Sequence, residues 1–167
     1  DSINSGKKAM TIGILLVMFF MILYYKGAGL LANFAMLLNL LIVMSVLVLL
    51  GASLTLPGIA GLILTIGMAV DANVIVFERI REELSIGKSM KSAIHAGYER
   101  AFLTIFDANL TTLIAAFVLA WIGTGPIRGF AITLSAGILC SMFTAIFVTK
   151  TIFIILSDIH FLKKTSI

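Results

Sequence analysis

The stretch Pro57–Glu83, PGIAGLILTIGMAVDANVIVFERIREE, decides how this chain is read. It opens with Pro-Gly and then runs apolar for about five helical turns, carrying Asp71-Ala72-Asn73 with it. Past Phe77 it breaks into Glu78, Arg79, Arg81, Glu82 and Glu83. At 1.5 Å per residue, positions 58–77 cover about 30 Å, the thickness of a bilayer's hydrocarbon. A carboxylate inside such a span costs roughly 2.5–3.5 kcal/mol on insertion scales. Asp71 therefore reads as an ion or proton site. The plainer alternative is a protonated acid that hydrogen-bonds a neighbouring helix.

Composition agrees with a membrane setting. Of 167 residues, 60% are hydrophobic and 12% charged, which excludes an ordinary soluble domain. The net charge of +4 then reports topology rather than nucleic-acid binding. The single Cys140 falls in an apolar span, so no internal disulfide is possible. The first apolar block is flanked by Lys7 and Lys8 but ends at Tyr24-Tyr25-Lys26, without a small-residue cleavage pattern. His95 and His160 stand apart from other metal-ligating side chains and read as surface histidines. No phosphate loop, dinucleotide fingerprint or Ser/His/Asp set is present, so no metal, cofactor or enzymatic activity is expected.

The expected fold is all-α, a polytopic membrane bundle of five transmembrane helices forming a single membrane domain. Its spans lie at about 9–25, 30–50, 58–77, 101–121 and 129–149. A Lys-Gly-Ala-Gly turn joins the first two, and residues 51–56 form a small polar connector to the third. Residues 78–100 form a polar loop, expected to be an amphipathic helix or helix pair at the membrane surface, broken near Gly87. Residues 150–167 are an interfacial segment that lies along the membrane or lengthens the last helix. Taking alternate loops together, one side carries Lys26, Arg79, Arg81, Lys88, Lys91, Arg100, Lys150, Lys163 and Lys164. The other carries Lys7, Lys8 and Arg128. This bias puts the 78–100 loop and the C-terminus in the cytoplasm and the N-terminus of the chain outside.

Small residues recur every four positions in three spans. The last has Gly129, Thr133, Gly137, Ser141, Ala145 and Thr149; the fourth has Thr104, Ala108, Thr112, Ala116 and Ala120; the third has Gly61, Thr65, Ala69 and Asn73. Such rows form one inclined ridge and let helix backbones approach closely. They predict a tight three-helix core, with the first two spans, richer in Leu, Met and Phe, facing lipid.

Asp107 repeats the surroundings of Asp71, with Asp-Ala-Asn-Leu matching Asp-Ala-Asn-Val. Each lies six residues from the polar-loop end of its span, so both carboxylates sit about 9 Å from that interface. Gly67 lies one turn before Asp71, where water or another helix can come close. Thr111 and Thr112 lie one turn after Asp107 as candidate hydroxyl relays, and Asn73 and Asn109 complete the supporting set. No Lys or Arg falls inside a span. Two acids without a cation must be protonated, share a proton, or borrow a positive partner from another chain.

The runs TIGMAVDANVIVFERIREEL, AFLTIFDANLTTLIAAFVL and GTGPIRGFAITLSAGILCSMFTA closely resemble the C-terminal membrane part of the SecD/SecF family. The likeness covers nearly the whole chain. Where SecF typically has a Val-Asn-Asp-Thr type of motif, this chain has Val70-Asp71-Ala72-Asn73, so the SecD branch is the better match. The resemblance implies half of a resistance–nodulation–division type membrane domain in the bacterial inner membrane. It implies a role in export driven by the proton-motive force, with Asp71 as proton relay and SecF as the partner supplying an arginine. It also implies work beside the SecYEG channel and the SecA ATPase on exported polypeptides. An earlier helix and a large extracytoplasmic domain would precede Asp1.

Three other readings stay open on the residues alone. One is another proton-coupled exporter of the same superfamily. Another is an intramembrane aspartic protease, against which Met68-Ala69-Val70 departs from the Gly-x-Gly that precedes the aspartate in such enzymes. The third is a structural subunit in which both aspartates serve as hydrogen-bonding glue.

Overall fold

The computed structural model describes residues 2–52 and 55–158, and these are helices joined by short turns, without strands. Four helices are long and apolar enough to cross a membrane. The first, α1 (Ser2–Leu49), is interrupted at Lys26, whose backbone takes φ 48° and ψ −113°. There the chain turns back on itself. Asn33 Nδ2 donates to the Met18 carbonyl at 3.0 Å, whereas a straight helix would separate residues that far apart by about 22 Å. A Cβ on Gly29 would overlap the Met21 carbonyl, so the tight return needs glycine there. Residues 2–25 and 27–49 thus form two antiparallel arms, so the described residues run along the bundle five times.

The connector at residues 51–56 lies partly outside the described residues. Thr55 caps α2 (Leu56–Ser85) by accepting from Gly58 N, with Pro57 in the first turn, where its missing N–H costs nothing. α2 runs unbroken past Phe77 to Ser85 and turns at Gly87 (φ +89°). Ser89 then caps α3 (Met90–Ile122). The 78–100 segment is thus a helix pair broken at Gly87, as expected, but its two arms are continuous with α2 and α3 rather than separate surface helices. α4 (Gly125–Phe143) passes through a π turn (Thr144–Val148) into α5 (Thr149–Asp158), which lengthens the last pass. Residues 159–167, with His160, Lys163 and Lys164, lie outside the described residues.

The most extensive helix pairing is between α2 and α4. A Cβ on Gly137 would overlap Thr65, and one on Gly61 would lie 3.3 Å from the Phe130 carbonyl oxygen. Gly61, Thr65, Ala69 and Asn73 of α2 are buried there, as are Thr133, Gly137 and Ser141 of α4, with Gly129 half-buried beside Thr55. Without a hydrophobic drive between helices in lipid, this close backbone approach is what contact energy the pair can gain.

The third ridge is covered as expected only at its far end, where Ala116 is 0% exposed and packs with Leu134 and Ile138 of α4. On α3, Thr104 and Ala108 are exposed, and the helix instead buries Gly97, Ala101, Ile105 and Asn109 against its neighbours. The outward assignment fits the first span, where Ile12, Leu15, Leu16, Phe19 and Phe20 are exposed, but not the whole of the second. The second arm of α1 buries Ala28, Ala32, Asn33, Ala35, Met36, Asn39 and Val43 on one face and exposes Leu30, Phe34, Leu37 and Leu41 on the other. α3 is the least covered of the long helices. Leu, Met and Phe are at home against lipid and protein alike, so their abundance did not separate the two.

The largest apolar cluster sits at the end of the bundle where α2 projects. Phe77 and Phe153, both 0% exposed, meet at 5.4 Å between ring centroids, and Tyr25 packs edge-on to Phe77 at 5.5 Å. The Tyr25 hydroxyl donates to Glu78 Oε1 at 2.9 Å, and Arg81 lies over the rings of Tyr24 and Tyr25. The α1 turn, the α2 extension and α5 are thereby locked at one level, an aromatic and charged girdle of the kind that marks a membrane–water boundary.

Candidate functional site

Two residues further along a helix is a rotation of about 200°, so each Asp-Ala-Asn must send its acid and its amide to opposite sides. The structure has this arrangement twice. Asp71 and Asp107 are exposed, whereas Asn73 and Asn109 are buried at 3% and 6% exposure. Asn109 Nδ2 donates to the Ile105 carbonyl at 2.7 Å, and the side-chain oxygens of both asparagines are buried without a hydrogen-bond partner among the described residues. Both amides are therefore packed inside the bundle, while the acids point away from it.

Neither aspartate carboxylate takes part in a hydrogen bond or ion pair among the described residues, and no hydrogen bond joins the two. α2 and α3 are antiparallel neighbours joined by a short turn, which sets the two acids at similar depth on adjacent helices. Gly67, one turn before Asp71, is exposed, with nothing within 4 Å of the place a Cβ would occupy. It lines a 190 Å³ apolar groove with Met10, Gly13 and Ile63, between α2 and the first arm of α1. Thr111 and Thr112 donate to the backbone carbonyls of Asp107 and Ala108, at 2.9 and 3.0 Å. Both hydroxyl protons are therefore committed to the helix and not to the Asp107 carboxylate. Gly129, Thr133, Gly137 and Ser141 belong to the α2–α4 crossing, a scaffold behind the acids.

Sequence reasoning missed Glu83. It is 1% exposed and pairs with both Lys88 and Arg100, the latter at 3.0 Å. It lies six residues past Phe77, beyond the apolar span, and staples the turn between α2 and α3. Hydrogen bonding from Lys88, with the charge of Arg100 added, holds its carboxyl below the usual range against the opposing effect of burial. In the run Glu78–Glu83 nothing distinguished this acid from its exposed neighbours except the helical face, shared with Val76 and Ile80, which are also buried. No group of three or more His, Cys, Asp or Glu side chains could hold a metal ion among the described residues.

The chain's relatives fit this geometry. Residues 2–158 match the family model for the protein export membrane protein SecD/SecF, C-terminal. Protein translocase subunit SecD of Magnetococcus marinus is 61% identical over 91% of this chain and 29% of its own length. The same subunit of Desulfurispirillum indicum is 59% identical over 100% of this chain and 32% of its own. The chain thus spans about a third of the curated relatives it matches. The crystal structure of SecDF, a translocon-associated membrane protein from Thermus thermophilus, superposes with a TM-score of 0.90 at 42% identity, covering 93% of this chain and 22% of that one. A second SecDF crystal structure, in a super-membrane-facing form, gives 0.91 at 40% identity over 100% of this chain and 22% of that one. Two acids facing out of a helix pair, a small-residue crossing behind them and a match over nearly every described residue converge: the chain belongs to the family of the C-terminal region of the protein export membrane proteins SecD and SecF.

Proposed function

We propose that this chain is the membrane half of a subunit that assists Sec-dependent protein export, and that the proton-motive force drives it through Asp71. The observation that carries the reading is the outward, unpartnered placement of Asp71 and Asp107 in helices without a base. A carboxylate at that depth is costly in lipid. A second membrane subunit that covers this face and brings a cation to Asp71 removes the cost. The family's SecF is the candidate donor, through an arginine.

Such a pair can couple protons to motion. When the cation is near, the ionised carboxylate is favoured and the proton leaves; when it withdraws, desolvation favours the neutral acid and a proton binds. Each charge moved through 100 mV supplies about 2.3 kcal/mol, enough to bias two arrangements of packed helices. Asp107 is a second acid at matching depth and takes the role of an exchange partner. The work is mechanical and involves no chemical step on the exported chain. The setting is a bacterial inner membrane, with the Glu78–Arg100 turn and the C-terminal end in the cytoplasm, beside SecYEG and SecA. Basic residues concentrated on that side support the orientation.

Asp71→Asn tests the reading. The amide keeps size and hydrogen bonding but cannot ionise. In the intact complex it should insert and assemble normally while proton-driven export in energised vesicles falls to the unenergised background. Wild-type export rates with normal recovery of the complex would overturn the proposal.

A further inference from the structure

Away from the aspartates, a cavity of about 310 Å³ opens between α3 and the π turn, at the level of the aromatic girdle. Its inner wall is apolar, formed by Val76, Ile105, Ala145 and Ile146. Its rim is polar, formed by His95, Glu99 and Lys150. A single water takes up about 30 Å³, so the space is built for something larger.

Tyr98 lines this cavity. It is 5% exposed, and its hydroxyl is buried without a hydrogen-bond partner among the described residues. A buried hydroxyl left unpaired costs about 1–3 kcal/mol, a cost that an acceptor reaching it from the cavity would relieve. The Lys150 ammonium lies over the same ring, 5.9 Å from its centroid. An ammonium and a free O–H donor at one aromatic side chain form a set suited to a phosphate oxygen. Glu99 lines the same cavity and forms no ion pair with Lys150 or any other described residue. With one ammonium and one carboxylate, the rim carries both signs of charge. The π turn contributes directly, since Ala145 and Ile146 belong to it, and Thr149 Oγ1 bonds back to the Thr144 carbonyl at 3.0 Å. Such single π turns recur at functional sites.

We propose that this cavity binds the headgroup of a zwitterionic phosphoethanolamine lipid. Lys150 and the Tyr98 hydroxyl hold the phosphate, Glu99 holds the ammonium, and the first methylenes of an acyl chain follow Phe102 and Ile146. His95 is a further N–H donor at the rim. The charge pattern selects this class: a purely anionic headgroup would satisfy Lys150 but face Glu99 without a counter-charge, and an uncharged diacylglycerol would leave both unpaired. The site lies in the leaflet on the side of the Glu78–Arg100 turn.

The test uses the intact subunit in its complex, delipidated in detergent and titrated with dioleoyl-phosphatidylethanolamine, dioleoyl-phosphatidylglycerol or dioleoylglycerol, with bound lipid counted by native mass spectrometry. Phosphatidylethanolamine should be retained at concentrations about tenfold lower than the other two, the scale of one charge-assisted contact. Glu99→Gln should abolish the preference over phosphatidylglycerol. Lys150→Gln and Tyr98→Phe should weaken retention of both phospholipids. Tyr98→Phe should leave the lipid-free melting midpoint unchanged or raised, because it removes a hydroxyl with no protein partner; a purely structural tyrosine would instead lower it. Equal retention of all three lipids, or phosphatidylethanolamine retention unaffected by both Glu99→Gln and Lys150→Gln, would overturn the proposal. So would a photo-crosslinker at Phe102 that captures a protein segment instead of lipid.

Discussion

α4 and α3 carry similar rows of small residues and meet opposite surroundings. On α4, Thr133, Gly137 and Ser141 are buried against α2, close enough that a Cβ on Gly137 has no room beside Thr65. On α3, Thr104 and Ala108 are exposed, and Asp107 stands among them. Spacing alone says that a helix has a face for close approach. It does not say whether the partner lies in the same chain. The closed face on α4 is a finished crossing, and the exposed face on α3, like that of Asp71 on α2, is half of one on the function proposed above.

The sharpest way to break this contrast is at the finished crossing. Gly137→Leu should cost about 3 kcal/mol or more, at the severe end for overpacking, because the facing element is the body of Thr65 rather than the end of a flexible chain. The measure is the thermal midpoint and yield of the full-length protein in detergent. An unchanged midpoint would mean that α2 and α4 do not approach as described.

A smaller effect is expected at the stapled turn. Glu83→Gln leaves Lys88 and Arg100 without their shared carboxylate and should lower the midpoint at neutral pH. The sign with pH follows from the lowered carboxyl. A depressed folded-state value contributes stability that is present above the unfolded value and lost as pH falls through the folded one. Wild type and Glu83→Gln should therefore converge in acid below the ordinary carboxylate range. A gap that widens there would contradict the ion-pair assignment.

The smallest effect on stability belongs to the open face. Thr104→Leu should change the midpoint of the isolated subunit by no more than about 0.5 kcal/mol equivalent, yet reduce recovery of the complex in co-purification. Equal recovery would return this face to lipid.

Much of this architecture could be read from residues, and the unread part has physical causes. Lys26-Gly27-Ala28-Gly29 marks the return between the first two arms because a left-handed residue followed by glycines permits a turn that tight. Pro57 and Gly87 mark the start of α2 and the turn after it for equally local reasons. The order of burial was not legible. In lipid, apolar side chains carry no preference for the interior, so the Leu- and Met-rich second arm reads as peripheral yet buries one whole face. Placement of the Asp-Ala-Asn pairs in the spans was legible from spacing, but not which residue of each faces out, since 200° separates the acid from the amide and either could have pointed inward. Glu83 stayed hidden because in an acidic run only the helical face, and not composition, marks the buried member.

The central claim is that the Asp71 and Asp107 faces are completed by a second membrane subunit. Single cysteines at Gly67 and Ala108, both exposed on these faces, can be placed in a Cys140→Ser background of the full-length protein co-expressed with SecF, with Leu15 on the exposed first arm as control. Crosslinking to helices of SecF from both test positions, and not from Leu15, is the expected result. Absence of crosslinks from Gly67 and Ala108 in a complex that still exports under a proton gradient would contradict the account.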